Sequence, residues 1–282
     1  MTRHAFLKLV ALTFAGAAMP LDASSSSHSM PALFVGHGSP MNAIQTNPFV
    51  TSMRALGESL PKPQAILVIS AHWMPPFHGV SLHESREVMY DFFGFPEEMY
   101  ALQYPAPSAP QLIDPLQKLM GALTVKNRAL DHGAWTVLMH LFPDASIPVM
   151  QWGIPRDASM RQHFAFGRAL GALRDQGVMI IGSGNITHNL GAVDRAIDAP
   201  PREWAVAFDS YIREALLARD WEALIEAPDR APYATQAHPT WEHYIPLLYI
   251  AGAMRPSDEG RFPYEGIHHG TLSMRNWVVG MG

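Results

Sequence analysis

The chain has 282 residues, a net charge of −5 and 48% apolar content, enough to fill the core of one large domain or two modest ones. No lysine or arginine cluster stands out, so the basic patch that nucleic-acid binding needs is missing. Cysteine is absent, which excludes disulfides, thiolate nucleophiles and Cys-based zinc sites, whereas 14 histidines make an imidazole metal site the first thing to look for.

Residues 1–29 differ from the rest. Arg3 and Lys8 precede an apolar run, Leu9 to Met19, and Pro20 and "DASSSSHS" follow it. This pattern predicts a secretory signal peptide, with Ala15 and Ala17 offering a small-residue cleavage site, and hence a periplasmic or secreted protein. A disordered leader on a cytoplasmic protein is the alternative. The apolar run is too short to span a bilayer permanently, so no membrane span is expected in the mature chain. His4 and His28 belong to this leader and drop out as site candidates.

From residue 30 to 282 there is no linker, charge block or repeat, and a single domain is expected. Four short, almost continuous apolar runs read as strands buried on both faces: 32–36 (ALFVG), 65–70 (AILVIS), 147–152 (IPVMQW) and 178–184 (VMIIGSG). Helical patterns alternate with them. Residues 158–176 carry Met160, Phe164, Leu170 and Leu173, with Asp157 as the expected N-cap and Gly177 as the stop. Residues 203–218 and 240–253 read as helices too. The alternation predicts an α/β sandwich, a largely parallel central sheet flanked by helices, whose ligands bind beyond the carboxyl ends of the strands.

Histidines sit at those ends. The first strand runs into His37, held between Gly36 and Gly38; the second runs through "SAHW" to His72; the fourth runs through "GSGNITHN" to His188. In a parallel sheet all three lie on one rim, which favours a metal-site role for His37 and His72 and a site role for His188. In "EHYIPLLY", Glu242 and His243 are adjacent on a predicted helix and point about 100° apart. His243 shares a face with Leu247 and Ile250 and is expected to look inward. Glu242 is its chemical rival, because two histidines and a carboxylate form the facial triad of non-haem iron sites. His132, in "DHGAWTVL", opens a predicted helix and has no strand-end logic of its own.

Six blocks in order, "PALFVGHGSPMN", "SAHW", "YDFFGFPEEMYALQYPAP", "DHGAW", "GSGNITHNL" and "EHYIPLLY", resemble the DOPA-type extradiol ring-cleaving dioxygenases, relatives of the catalytic subunit of protocatechuate 4,5-dioxygenase. The resemblance runs from Met30 almost to the C-terminus. It implies that His37, His72 and His243 are metal ligands, that His188 lies in or beside the metal sphere, and that His132 is an acid–base residue. It further implies non-haem Fe(II) for turnover, with Zn(II) able to occupy the same site, and a small catecholic substrate cleaved with O2 to a semialdehyde. Histidine titrates close to working pH and can serve as base or acid; His188 is assigned the base and His132 the acid. Tyr90, Phe92, Phe95 and Tyr104 are candidates to wall the aromatic ring. Ser108 and Phe93 depart from the family pattern, in "YPAPG" and "DFxGFP", at places that bear on substrate identity. A zinc hydrolase, with Glu242 as base and the glycine-rich "GHGS" or "GSGN" loop for phosphate, is the competing reading, and a non-catalytic metal-binding protein is a third.

Overall fold

The computed structural model describes residues 29–83 and 87–281. Residues 1–28 of the leader, with His4 and His28, lie outside them. No helix among the described residues is long and apolar enough to cross a membrane.

The strands are β1 (Ala32–Gly36), β2 (Ala65–Ser70), β3 (Gly79–Leu82), β4 (Thr124–Asn127), β5 (Val149–Gly153), β6 (Val178–Gly184), β7 (Gly260–Tyr264), β8 (Ile267–His268), β9 (Leu272–Ser273) and β10 (Asn276–Val279). Eight of them form one sheet in the order β4-β3-β5-β2-β6-β1-β10-β7, while β8 and β9 make a small separate ribbon. The four strands predicted from apolar runs are the middle of the sheet, and they run parallel side by side. Every residue in them is buried, as continuous Val, Ile, Leu and Met runs require when helices cover both faces. Antiparallel pairing enters only toward the edges, at β3 on β5 and at β10 and β7 beyond β1.

The helices are α1 (Pro48–Ser59), α2 (Ile113–Met120), α3 (His132–Leu141), α4 (Met160–Leu170), α5 (Glu203–Ala218), three short pieces α6 (Trp221–Ile225), α7 (Ala227–Arg230) and α8 (Ala234–Ala237), and α9 (Ile245–Ala253). Alternate residues of each central strand serve opposite cores. Phe34, Leu67, Met150 and Ile180 pack with Phe164, Phe208, Leu247 and Ile250 of α4, α5 and α9. Leu33, Val35, Ile66 and Ile181 pack with Phe49, Met53, Trp135 and Leu138 of α1 and α3. The α/β sandwich is therefore the observed fold.

Three expected boundaries shift. β5 starts at Val149 rather than at 147, after Pro148. The helix expected over 158–176 is α4 followed by a 3-10 turn, Gly171–Gln176, that ends at Gly177 in the left-handed region as foreseen. Its N-cap is Ser159, not Asp157, because Ser159 and Gln162 form a reciprocal capping box. The helix expected over 240–253 begins only at Ile245, with Pro246 in its first turn where a missing N–H costs nothing. Glu242 and His243 thus lie in the turn before the helix, and the helical-face argument for His243 does not hold.

Candidate active site

Three of the central strand ends deliver histidines to one rim, as the parallel order requires: His37 follows β1, His72 follows β2 and His188 follows β6. Gly38 turns the chain out of the rim in the left-handed region, φ 61°. His132 comes to the same place as the first residue of α3. The cap residue Asp131 accepts from Ala134 N at 3.2 Å and from Ser70 Oγ at 2.7 Å, which ties the start of α3 to the end of β2. His243 arrives from the turn before α9. Its carbonyl accepts from Asn185 N at 2.8 Å and lies so near Gly184 that a Cβ there would come within 2.1 Å of it. The glycine of "GSGN" is therefore filled by backbone and is not an open cradle for phosphate.

The five imidazoles crowd together. Ring centroids are 5.1 Å apart for His37 and His72, 5.3 Å for His37 and His243, 4.9 Å for His72 and His243, and 4.0 Å for His72 and His132. His188 stacks flat on His243 at 3.4 Å. Hydrogen bonds decide which nitrogens point inward. Ser183 Oγ donates to Gly133 O at 2.6 Å, so it accepts from His37 Nδ1–H at 2.9 Å and leaves His37 Nε2 with a bare lone pair. Glu242 Oε1 accepts from His243 Nδ1–H at 3.1 Å, and the buried Nε2 of His243 has no partner among the described residues. His72 Nε2 faces His37 Nε2 at 3.3 Å, a pairing that only a proton or a shared cation can reconcile. Asp91 accepts from His132 Nδ1 at 3.0 Å and lies 3.6 Å from His72 Nδ1.

The electrostatics follow from burial. Desolvation, then the neighbouring histidines, hold His37 and His243 well below the usual imidazole range. Burial also brings His72 and His188 down to about 4. Burial pushes Asp91 up, but the hydrogen bonds and charge of His132, with His72 beyond, outweigh it and hold its carboxyl at about 2. Neutral imidazoles backed by carboxylates are the donor set of a divalent transition metal. Two groups of potential ligand atoms lie close enough to hold an ion: His37, His72 and His132, and His188, Glu242 and His243. The residues fit a metal on the strength of the orphaned Nε2 of His243 and the opposed Nε2 atoms of His37 and His72.

Residues 23–280 match the family model described as the catalytic LigB subunit of aromatic ring-opening dioxygenase. The chain belongs to the LigB family. A 4,5-DOPA dioxygenase extradiol from Escherichia coli K12 is 41% identical over 268 residues, covering 92% of this chain and 98% of that protein. A protein of the same name from Beta vulgaris is 37% identical over 251 residues, 85% of this chain and 92% of its own length. Among solved structures, an uncharacterized protein from E. coli K12 superposes with a TM-score of 0.78 at 40% identity, covering 89% of this chain and 100% of that one.

In this LigB-family chain the histidines border a cavity of about 490 Å³ whose walls include Phe92, Phe93 and Phe95. Two expected wall residues stand elsewhere. Tyr104 is buried, its hydroxyl donating to Phe142 O at 2.9 Å, and Tyr90 donates to Leu102 O at 2.6 Å and packs behind Phe92 against Trp135. Both are packing residues. Ser108 is structural as well, accepting from His83 N at 2.8 Å, while Phe93 is 92% exposed at the cavity mouth. Sequence reasoning missed Asp91, which sits in the quoted "YDFFGFP" block as its one acid before Glu97, and also Arg195 and His269 on the cavity lining.

Proposed function

We propose that the chain is an extradiol dioxygenase that opens the ring of a catechol with O2, using a divalent metal held by His37, His72 and His243. One observation carries this reading: His37 and His72 oppose their Nε2 atoms at 3.3 Å, and His243, its ring centroid 5.3 and 4.9 Å from theirs, keeps a buried Nε2 without a partner among the described residues, all beside an aromatic-walled cavity. Hydrogen bonding supports two members of this ligand set: His243 is held at Nδ1 by Glu242 while its buried Nε2 has no partner among the described residues, and His37 is held at Nδ1 by Ser183 with Nε2 left free. Glu242 is spent on His243 Nδ1 and on Thr240 Oγ1 at 2.9 Å, the position of a carboxylate that orients a ligand. Iron(II) bound there would supply chelation of the two ring oxygens and electron transfer to O2; zinc(II) would compete for the site because it binds such donors more tightly.

The chain's own residues supply the rest. Phe92 and Phe95, packed edge-to-face on each other, present an apolar wall to the ring. His188, kept neutral by burial, accepts a proton from a catechol hydroxyl. His132 donates a proton to the departing oxygen as the ring opens, and Asp91, accepting from its Nδ1, orients the ring.

Anaerobic loading with Fe(II), followed by a catechol and then O2, is expected to give oxygen uptake and a yellow ring-opened product, with no uptake from zinc-loaded protein. His188→Gln and His132→Gln should retain the metal and lose about 10²–10⁴-fold in turnover, the usual value of one acid–base group. Turnover that proceeds without O2 would overturn the reaction, and metal loss in His188→Gln would make that residue a ligand instead.

A further inference from the structure

The cavity bordered by the histidines and Asp91 also has apolar walls, and Arg195 belongs to its lining, on the segment after Leu190 and Val193. Arg195 is exposed and makes no hydrogen bond or ion pair among the described residues. Its backbone, by contrast, is anchored. Asp194 N donates to His269 O at 2.9 Å, and His269 Nδ1 donates to Asp194 O at 2.9 Å. The adjacent acid is already spent, since the Asp194 carboxylate takes Arg202 at 2.9 and 3.2 Å. The acid beside the histidines is engaged as well, because Asp91 is held by His132. An uncompensated guanidinium on a fixed stretch of chain therefore borders a cavity whose internal carboxylate is already paired. A planar fork of this kind matches a carboxylate in two-point geometry.

We propose that Arg195 is a specificity-determining residue that binds a carboxylate on the substrate's side chain, so that the preferred catechol is anionic at the end remote from its hydroxyls. This rests on the catechol reading above. With the diol at the histidines and the ring against the phenylalanine wall, the side chain of the molecule is the part left to meet Arg195.

The test is calorimetric binding, without O2, of a catechol bearing a propanoate side chain and of its methyl ester to the full-length, metal-loaded protein. The wild type is expected to favour the acid by about 5- to 20-fold, the range of a charge-assisted hydrogen bond at a partly solvated site. Arg195→Gln should bring the acid-to-ester ratio to about one, Arg195→Glu should invert it, and Arg195→Lys should keep part of it. The ratio is taken within each variant, so general damage to the fold cancels. Equal binding of the two ligands by the wild type, no binding of either, or an acid preference that survives in Arg195→Glu would overturn the proposal. Because O2 is absent, a failure of ring cleavage would count against the dioxygenase reading and leave this ratio unaffected.

Discussion

Asp91 joins His132 and His72, to which the proposal above gives different roles. One carboxylate oxygen accepts from His132 Nδ1 and also from His132 N at 2.9 Å, and the other faces His72 Nδ1. Replacing it by Asn keeps the size and removes the anion, so His72 loses the charge behind it and His132 loses the carboxylate that orients its ring. The expected outcome for Asp91→Asn is a fall of about 10–100-fold in metal affinity or turnover, the usual effect of removing a carboxylate behind a ligand histidine. Metal titration beside steady-state oxygen uptake checks it, and wild-type values for both would refute the role. Nothing in the sequence marks Asp91 in this way. His37, His72 and His188 were legible because each ends an apolar run, and strand ends of a parallel sheet share a rim. Asp91 lies between β3 and β4 in irregular chain, where no period fixes the direction of a side chain. His243 was legible as a candidate but not by its reasoning, since Pro246 starts the helix later than the apolar pattern suggested.

At the scale of elements, the meeting of β6 with the entry to α9 decides where His243 stands. Gly182 and Gly184 let the 243–246 backbone lie directly on the strand: a Cβ on Gly182 would come within 2.7 Å of Pro246 O, and one on Gly184 within 2.1 Å of His243 O. Gly184→Ala must therefore displace either the strand end or His243. A loss of about 1–3 kcal/mol in stability is expected for such overpacking, with metal affinity falling alongside it. Thermal melts and metal titration on the variant read both, and wild-type metal affinity would show that the contact does not place the ligand. The central strands announced themselves by composition, whereas the edge of the sheet did not. β4 (TVKN) is short and mostly exposed, and β7 (GRFPY) contains a proline, so neither carries the apolar signature of a buried strand.

Over the whole molecule, eight histidines share one bias: His37, His72, His140, His163, His188, His238, His243 and His268 are all held below the ordinary imidazole value, with burial the leading cause. The unfolded chain, with ordinary histidines, therefore binds more protons than the folded one between about pH 4 and 6.5, and stability rises with pH across that window. It is fully present above about 6.5 and is lost as the pH falls toward 4. His163 gives the cleanest case, far in sequence from the proposed ligands and packed on Tyr249. Trp152 Nε1 donates to the Tyr249 hydroxyl at 3.2 Å, and that hydroxyl donates to His163 Nδ1 at 3.2 Å. Its value of about 4 corresponds to about 3 kcal/mol lost on full acidification. Urea midpoints should drop steeply from pH 7 to 5, and less steeply in His163→Phe. A flat profile in the wild type would refute the bias.

The distance along the chain between His37 and His243 has a consequence in time. The two come from opposite ends of the described chain and meet only when β1 and β6 are paired and the entry to α9 has settled on them. During synthesis His37 emerges early, with neither its Ser183 anchor nor its partners yet made, and offers a passing ion one isolated imidazole. The full set of donors exists only after the last segment has docked. A metal held as proposed above would thus be captured last, and which ion enters would be decided by what waits outside a finished cavity, at a mouth flanked by Phe93 and Leu190.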